Sequence, residues 1–456
     1  MLKTKLAIFL VVYILGTTCF GQDQFKFEEK IESLVEPYLE ARKFKGLSVG
    51  VIADGDTWTG NYGQVSDEKK TKPSSETIYE IGSISKVFTS LMLADAINSG
   101  EVMLDTRIGE LMPEIKETKP VKTITLKHLA THMSGLPKLP TNVSPKEPEN
   151  PYADYDRKKL VEYMKVAQLD AEPGENHEYS NVGAGLLGDL LAAQANQTYE
   201  SLLKNRILNP LKMKDTTIAL TDEQSMRLAP PFNSAMLPAR TWDFDSLVGA
   251  GAIRSTTDDM IRFMQANLAP PKNAVGDAIE LAWKQHLDAG KNHRGMGLGW
   301  QIAGDGSTRW HNGQTGGYQS MMLINRKINS GVVVLCNTSG SEIDGLAGSI
   351  IQLLAGMDPN PRKFAKTTVV DKATVKRLAG KYQLAPQVII EVVAKEDRLV
   401  VKLTGQTFLK VVPESDTVWN YTDVEAQLKF DLPNKGPAKK VTLLQNGQKM
   451  PAPRIK

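Results

Sequence analysis

The chain is poor in cysteine: Cys19 and Cys336 are the two it has in 456 residues. A disulfide-stapled fold is therefore excluded, and the protein must rely on its apolar core. Long apolar runs are also absent. The longest reaches from Leu6 to Leu15, inside "MLKTKLAIFLVVYILGTTCFGQ". Ten residues are too few to span a bilayer. Two lysines, a short apolar stretch and then small residues are the layout of a secretory signal peptide over residues 1–21, with Cys19 and Gly21 at the cleavage positions. Thr17 and Thr18 fit a lipobox poorly, so lipid anchoring at Cys19 is not expected. The reading is an exported protein, periplasmic or extracellular, with no transmembrane anchor after cleavage and with Cys336 left unpaired.

Charge of one sign is lacking too. With 55 basic and 52 acidic residues, loss of Lys3 and Lys5 leaves 53 − 52 = +1. No long basic run breaks that balance, which argues against nucleic acid or an anionic membrane surface as partners. No Gly-x-Ser-x-Gly occurs, which disfavours the strand-to-helix nucleophile elbow that this motif marks. His128 and His132 stand at i and i+4, but no Glu follows the first as in His-Glu-x-x-His, so no metal is expected. Gly183-Ala-Gly185-Leu-Leu-Gly188 lacks the βαβ setting and later acidic residue of a dinucleotide site. No cofactor is implied.

What is present reads as a large α+β unit followed by a β-rich tail. Ile31, Leu34, Val35, Tyr38 and Leu39 have helical spacing, and "GLSVGVIADGDTWTGNYGQVS" reads as a strand pair. From about 77 to 300 the chain is mostly helical segments broken by Pro- and Gly-rich loops. Strand signals return in "GLGWQIA", "GYQSMMLINR" and "SGVVVLCNTS", ahead of a helical "DGLAGSIIQLLAGM". Strands at both ends of the 22–356 segment imply that its first and last parts meet in one antiparallel sheet flanked by helices, with a helical insert. "DPNPRKFAKTT" marks a linker over 357–370, and serial hairpins over 371–456 predict a small antiparallel barrel or sandwich.

Three short motifs carry chemistry. Ser-x-x-Lys occurs three times, but Ser66/Lys69 lies in a polar loop and Ser201/Lys204 on an exposed helix face. Ser83/Lys86 differs: it follows "TIYEIG" and opens a helix whose Ile84, Val87, Phe88, Leu91 and Met92 must be buried. There the helix dipole and orphan N–H groups stabilise an alkoxide-like oxygen, and Lys86 lies on the same face. The bland alternative is a serine N-cap. Tyr179-Ser-Asn181 offers a phenol, its pKa lowered by a nearby cation, and a carboxamide for a substrate carbonyl. His311-Asn-Gly313 begins a late strand where glycine permits close approach, and the next amide, Gln314, is placed to join the Ser83 amide as an oxyanion hole.

In order and separation these motifs resemble the penicillin-recognising serine hydrolases related to class C β-lactamases, DD-peptidases, D-aminopeptidases and a set of esterases. The flanks "ITLKHLATHMSGLP", "PGENHEYSNVGAGLLG" and "HNGQTGGYQS" share the likeness, and the tail resembles their lipocalin-like modules. The resemblance implies a β-lactamase/transpeptidase-like fold in which Ser83 is the nucleophile and Lys86 and Tyr179 move its proton. Asn181, His311 and Gly313 would bind substrate, and the Ser83 and Gln314 amides would hold the oxyanion. Histidine at 311 departs from the lysine of the β-lactamases and matches the D-aminopeptidases and some esterases instead. It leaves open a peptidase or amidase for D-amino-acid peptides or β-lactams, a carboxylesterase, and a binding module without turnover.

Overall fold

The computed structural model describes residues 25–455 apart from 69, 120, 291–293, 365–367, 396–397 and 423. The expected leader, with Cys19, lies outside these residues. The strands are β1 (Gly46–Ala53), β2 (Asp56–Gly63), β3 (Tyr79–Glu80), β4 (Arg254–Ser255), β5 (Gln301–Ile302), β6 (Thr308–Gln314), β7 (Gln319–Asn325) and β8 (Ser330–Cys336). Six of them form one antiparallel sheet in the order β2-β1-β8-β7-β6-β5. The two ends of the segment meet where β1 pairs with β8, Leu47 opposite Cys336 and Ala53 opposite Ser330.

The sheet is buried on both faces, which explains why β1, β7 and β8 lack a polar alternation. On one face Leu47, Val49, Val51, Val332 and Val334 pack on the helices Glu28–Glu40 and Ile343–Leu354. On the other, Ile52, Val333 and Leu335 meet the large helical layer through Thr257–Leu268. Gly50 is required at that contact, since a Cβ there would sit 2.7 Å from Thr257 Cγ2. At the centre of the helical layer runs Ser85–Asn98, buried on nearly every side. A helix apolar all round belongs inside a core. The expected strand in "GLGWQIA" shrinks to Gln301–Ile302, because a left-handed Gly299 interrupts it.

The tail forms eight antiparallel strands, β9 (Gly380–Ala385) through β16 (Gln448–Pro453), in simple serial order. The first and last meet at a Tyr382–Arg454 bridge, so the barrel is nearly closed. Tyr382, Trp419, Leu428, Phe430 and Val441 fill its interior. A short helix, Lys372–Leu378, leads into it, capped by the Asp371 carboxylate. The barrel touches the body through Lys410, whose Nζ donates to the Arg42 carbonyl at 2.5 Å, and through Arg398 to Asp67 at 3.4 Å.

Candidate active site

Ser83 lies in a 3-10 turn, Gly82–Ile84, that runs straight into the Ser85–Asn98 helix. It is not a cap, for no side chain caps either element. Its Oγ instead stands 2.9 Å from Lys86 Nζ. Gly82, which no sequence motif singles out, makes this turn possible. It has φ +57°, and a Cβ on it would fall 2.6 Å from the Gln314 amide nitrogen. Gly313 is the reciprocal case, since a Cβ there would lie 1.9 Å from the Ile81 carbonyl and 2.7 Å from the Ser83 nitrogen. Two glycines thus let the backbone before Ser83 and the end of β6 touch.

That contact brings the Gln314 amide close to the turn that carries Ser83. Thr315 and Tyr318 close the β6–β7 hairpin with a hydrogen bond, and hydrogen-bonded and open pairs alternate along an antiparallel ladder. The Gln314–Gln319 pair is therefore an open one, and the Gln314 N–H points off the ladder toward Ser83. The Ser83 N–H lies in the first turn of its helix, where amides have no upstream partner. The two amide nitrogens thus flank the same contact, that of Gln314 beside Gly82 and that of Ser83 beside Gly313.

Lys86 is 2% exposed and donates to the Ala250 carbonyl at 2.6 Å. Burial, helped by repulsion from Lys138, pulls its pKa down to about 7. Tyr179 is hydrogen-bonded to Ser83, yet burial pushes its pKa up to about 12. The expectation of a phenol acidified by a neighbouring cation is thereby corrected: desolvation outweighs the pull of nearby positive charge, and the neighbouring lysine is itself driven toward neutrality. Lys86 is the group poised to accept a proton at neutral pH, and Tyr179 keeps its hydrogen. The Lys86 amine lies 5.0 Å from the Tyr179 ring centroid.

Asn181 opens the helix Asn181–Gln194, whose N-cap Ser180 accepts from the Gly183 amide. Its side chain bonds Tyr152 and lines a cleft with Ser83, Gln314, Tyr152, Trp242 and Phe244. Tyr152 stacks on Phe244 at 4.7 Å and meets Trp242 edge-on at 5.3 Å. This aromatic wall comes from the two loops, 138–156 and 222–246, that carry no periodic signal. The Trp242 backbone is pinned by a buried ion pair, its N–H donating to Glu80 and its carbonyl accepting from Arg254. Burial lifts the Glu80 pKa to about 7, against the pull of Arg254.

His311 is in the middle of β6, not at its start, and is 1% exposed. Its Nδ1 is 2.6 Å from the Asn312 carbonyl, which accepts, so the proton is on Nδ1 and Nε2 keeps a bare lone pair. Among the described residues Nε2 has no partner. Burial and then Lys86 hold its pKa down to about 3. The imidazole is neutral and accepts hydrogen bonds, where a lysine would donate them. Its ring is 6.3 Å from that of Tyr179.

The rival motifs have structural uses. Ser201 lies in a short helix whose cap, Thr198, accepts from its amide, and Lys204 pairs with Glu200. His128 takes part in the capping box of Leu126–Ala130. Gly185 and Gly188 let the Asn181–Gln194 helix approach Leu247, Gly249 and Tyr199, which added Cβ atoms would strike, whereas a Cβ on Gly183 would find room.

A family model described as Beta-lactamase matches residues 31–356. The chain is 31% identical over 280 residues to a Beta-lactamase of Yersinia enterocolitica, covering 60% of this chain and 68% of that protein. It is 26% identical over 342 residues to Protein flp of Staphylococcus aureus, covering 70% and 65%. Among solved structures, a class C beta-lactamase superposes with a TM-score of 0.64 at 22% identity, covering 72% of this chain and 96% of that one. A Beta-Lactamase/D-Alanine Carboxypeptidase from Pseudomonas syringae gives 0.62 at 24%, covering 71% and 99%. At these identities the structural matches speak for the fold alone.

Proposed function

The chain belongs to the β-lactamase family of serine hydrolases, on its β-lactamase/transpeptidase-like fold with an appended barrel, and from that premise we propose that it is a secreted hydrolase acting through a Ser83 acyl-enzyme on amide bonds of D-amino-acid peptides or β-lactams. The observation that carries this reading is the buried Lys86 Nζ, 2.9 Å from Ser83 Oγ and with its pKa held at about 7. A neutral amine at that distance can take the hydroxyl proton as Oγ attacks. Oγ–C bond formation turns the carbonyl oxygen into an oxyanion, which the Ser83 and Gln314 amides hold. The proton returns through the Tyr179 hydroxyl to the leaving nitrogen as the C–N bond breaks. Water then attacks the ester, its proton passing back along the same groups to restore Ser83.

Asn181 holds the acyl-side amide, Gly313 admits the substrate backbone, and the aromatic wall receives an apolar acyl group. The neutral His311 bears on substrate choice. A bare lone pair repels a carboxylate and suits an N–H or O–H donor, which favours substrates that present an amide or hydroxyl there over ones that present a carboxylate, whether a β-lactam or a C-terminal D-Ala-D-Ala peptide. The same neutrality supports carboxylesterase activity as a second reading. Export rests on the N-terminal sequence. The test is Ser83→Ala: hydrolysis of a D-Ala-D-Ala peptide, a penicillin and a p-nitrophenyl ester should fall at least about 10⁴-fold. Retained hydrolysis of any substrate that the parent cleaves would overturn the assignment.

A further inference from the structure

His132 supports the residues on both sides of Tyr179. It is 2% exposed and holds a left-handed φ of +57°, which a non-glycine residue adopts at a cost. Its carbonyl accepts the Glu178 amide at 2.8 Å, and its Nδ1 accepts the Ser180 amide at 3.2 Å. Its ring lies 4.5 Å from the Tyr179 ring, tilted 37°. One residue thus fixes the positions before and after Tyr179 and lies against the phenol itself. Ser180 has no freedom to drift, since its hydroxyl donates to the Pro137 carbonyl and accepts from Gly183.

An amide donor at Nδ1 dictates the tautomer: the lone pair is on Nδ1 and the hydrogen on Nε2. Protonation would place a second hydrogen against the Ser180 N–H. Burial, with Lys86, His177 and His311 around it, keeps the imidazole neutral, so the acceptor persists across the working range. The His-x-x-x-His spacing that suggests a metal pair in sequence therefore has another use for its second member.

We propose that His132 is the positioning residue of Tyr179, holding the phenol oxygen at Ser83 through the Nδ1 acceptor and the ring contact. This rests on the reading of Tyr179 as the proton carrier. A misplacement of about 1 Å at a reacting group can cost about 10² in rate, and that is the size of effect expected.

The experiment measures kcat and KM for a p-nitrophenyl ester in His132→Gly, His132→Asn, Tyr179→Phe and the double variant His132→Gly/Tyr179→Phe. Glycine removes the side chain while suiting the left-handed backbone, and asparagine keeps an acceptor where Nδ1 was. Thermal melting checks that each variant folds. His132→Gly should lower kcat about 100-fold with KM within about threefold, and His132→Asn should recover most of that loss. If His132 acts through Tyr179, the double variant is as slow as Tyr179→Phe alone. A folded His132→Gly within about threefold of the parent kcat, or losses that multiply in the double variant, would overturn the proposal. A Tyr179→Phe variant with parent kcat would overturn instead the reading on which it rests.

Discussion

At the scale of single residues the site depends on one buried amine. Lys86 is nearly inaccessible and carries a pKa of about 7 in the folded protein, against about 10.4 in an unfolded chain. Two outcomes follow. The value of kcat/KM should rise as pH passes through about 7, where Lys86 loses its proton, and a flat profile from pH 5 to 9 would contradict its role as base. Stability behaves in the opposite sense to a paired lysine. Between the two pKa values the unfolded chain binds more protons, so stability rises with pH across that window. Below about pH 7 the penalty for burying the amine is complete, on the order of a few kcal/mol. Lys86→Met should therefore lose about 10³ in kcat while melting above the parent at pH 7, the gap closing toward pH 10. A variant less stable than the parent at pH 7 would show that the hydrogen bonds to Ala250 and Ser83 outweigh desolvation.

At the scale of elements, the site is a contact between a turn and a strand end, and glycine at 82 and 313 sets how close they come. Gly313→Ala would drive a methyl group against the Ile81 carbonyl and the Ser83 amide. Losing one oxyanion donor costs about 10²–10³ in kcat, and a loss of that order is expected here, with β6 still paired to β7 in the folded variant. Unchanged kcat would mean that the close approach of Gly313 to the Ser83 amide plays no part.

Much of this was legible in sequence because it is local. Ser83 and Lys86 are three apart where a turn runs into a helix, Tyr179 and Asn181 flank one cap, and apolar spacing marks the helices and buried strands. The aromatic wall was not legible, since Tyr152, Trp242 and Phe244 come from two aperiodic loops that meet only in the fold. The Glu80–Arg254 pair beneath it joins two-residue strands distant in the chain. Burial, which reversed the expected direction for Tyr179, is also a property of the assembled core rather than of any motif.

At the scale of the whole molecule, the body and the barrel keep separate cores. One set of apolar clusters draws on residues up to Leu353, with Leu354 and Phe364 at its edge, and the barrel cluster begins at Val370. Polar links join them: the buried Lys410 donates to the Arg42 carbonyl, and Arg398 pairs with the exposed Asp67, a surface ion pair of a kind that contributes little. We propose on these grounds that the unit boundary falls in the 357–370 linker. Deleting residues 371–456 should leave kcat/KM for a small p-nitrophenyl ester within about threefold of the parent. A hundredfold loss in a folded, truncated protein would show that the barrel helps to shape the cleft.

Passage of the acyl group through Ser83 is tested most directly by intact-protein mass spectrometry after rapid acid quench, with peptide mapping of any adduct. Mixed with a penicillin, a D-Ala-D-Ala peptide or a p-nitrophenyl ester, the protein should gain the mass of the acyl group on the peptide that contains Ser83, and Ser83→Ala should gain none. Turnover with no adduct at any quench time, or an adduct that survives in Ser83→Ala, would contradict it.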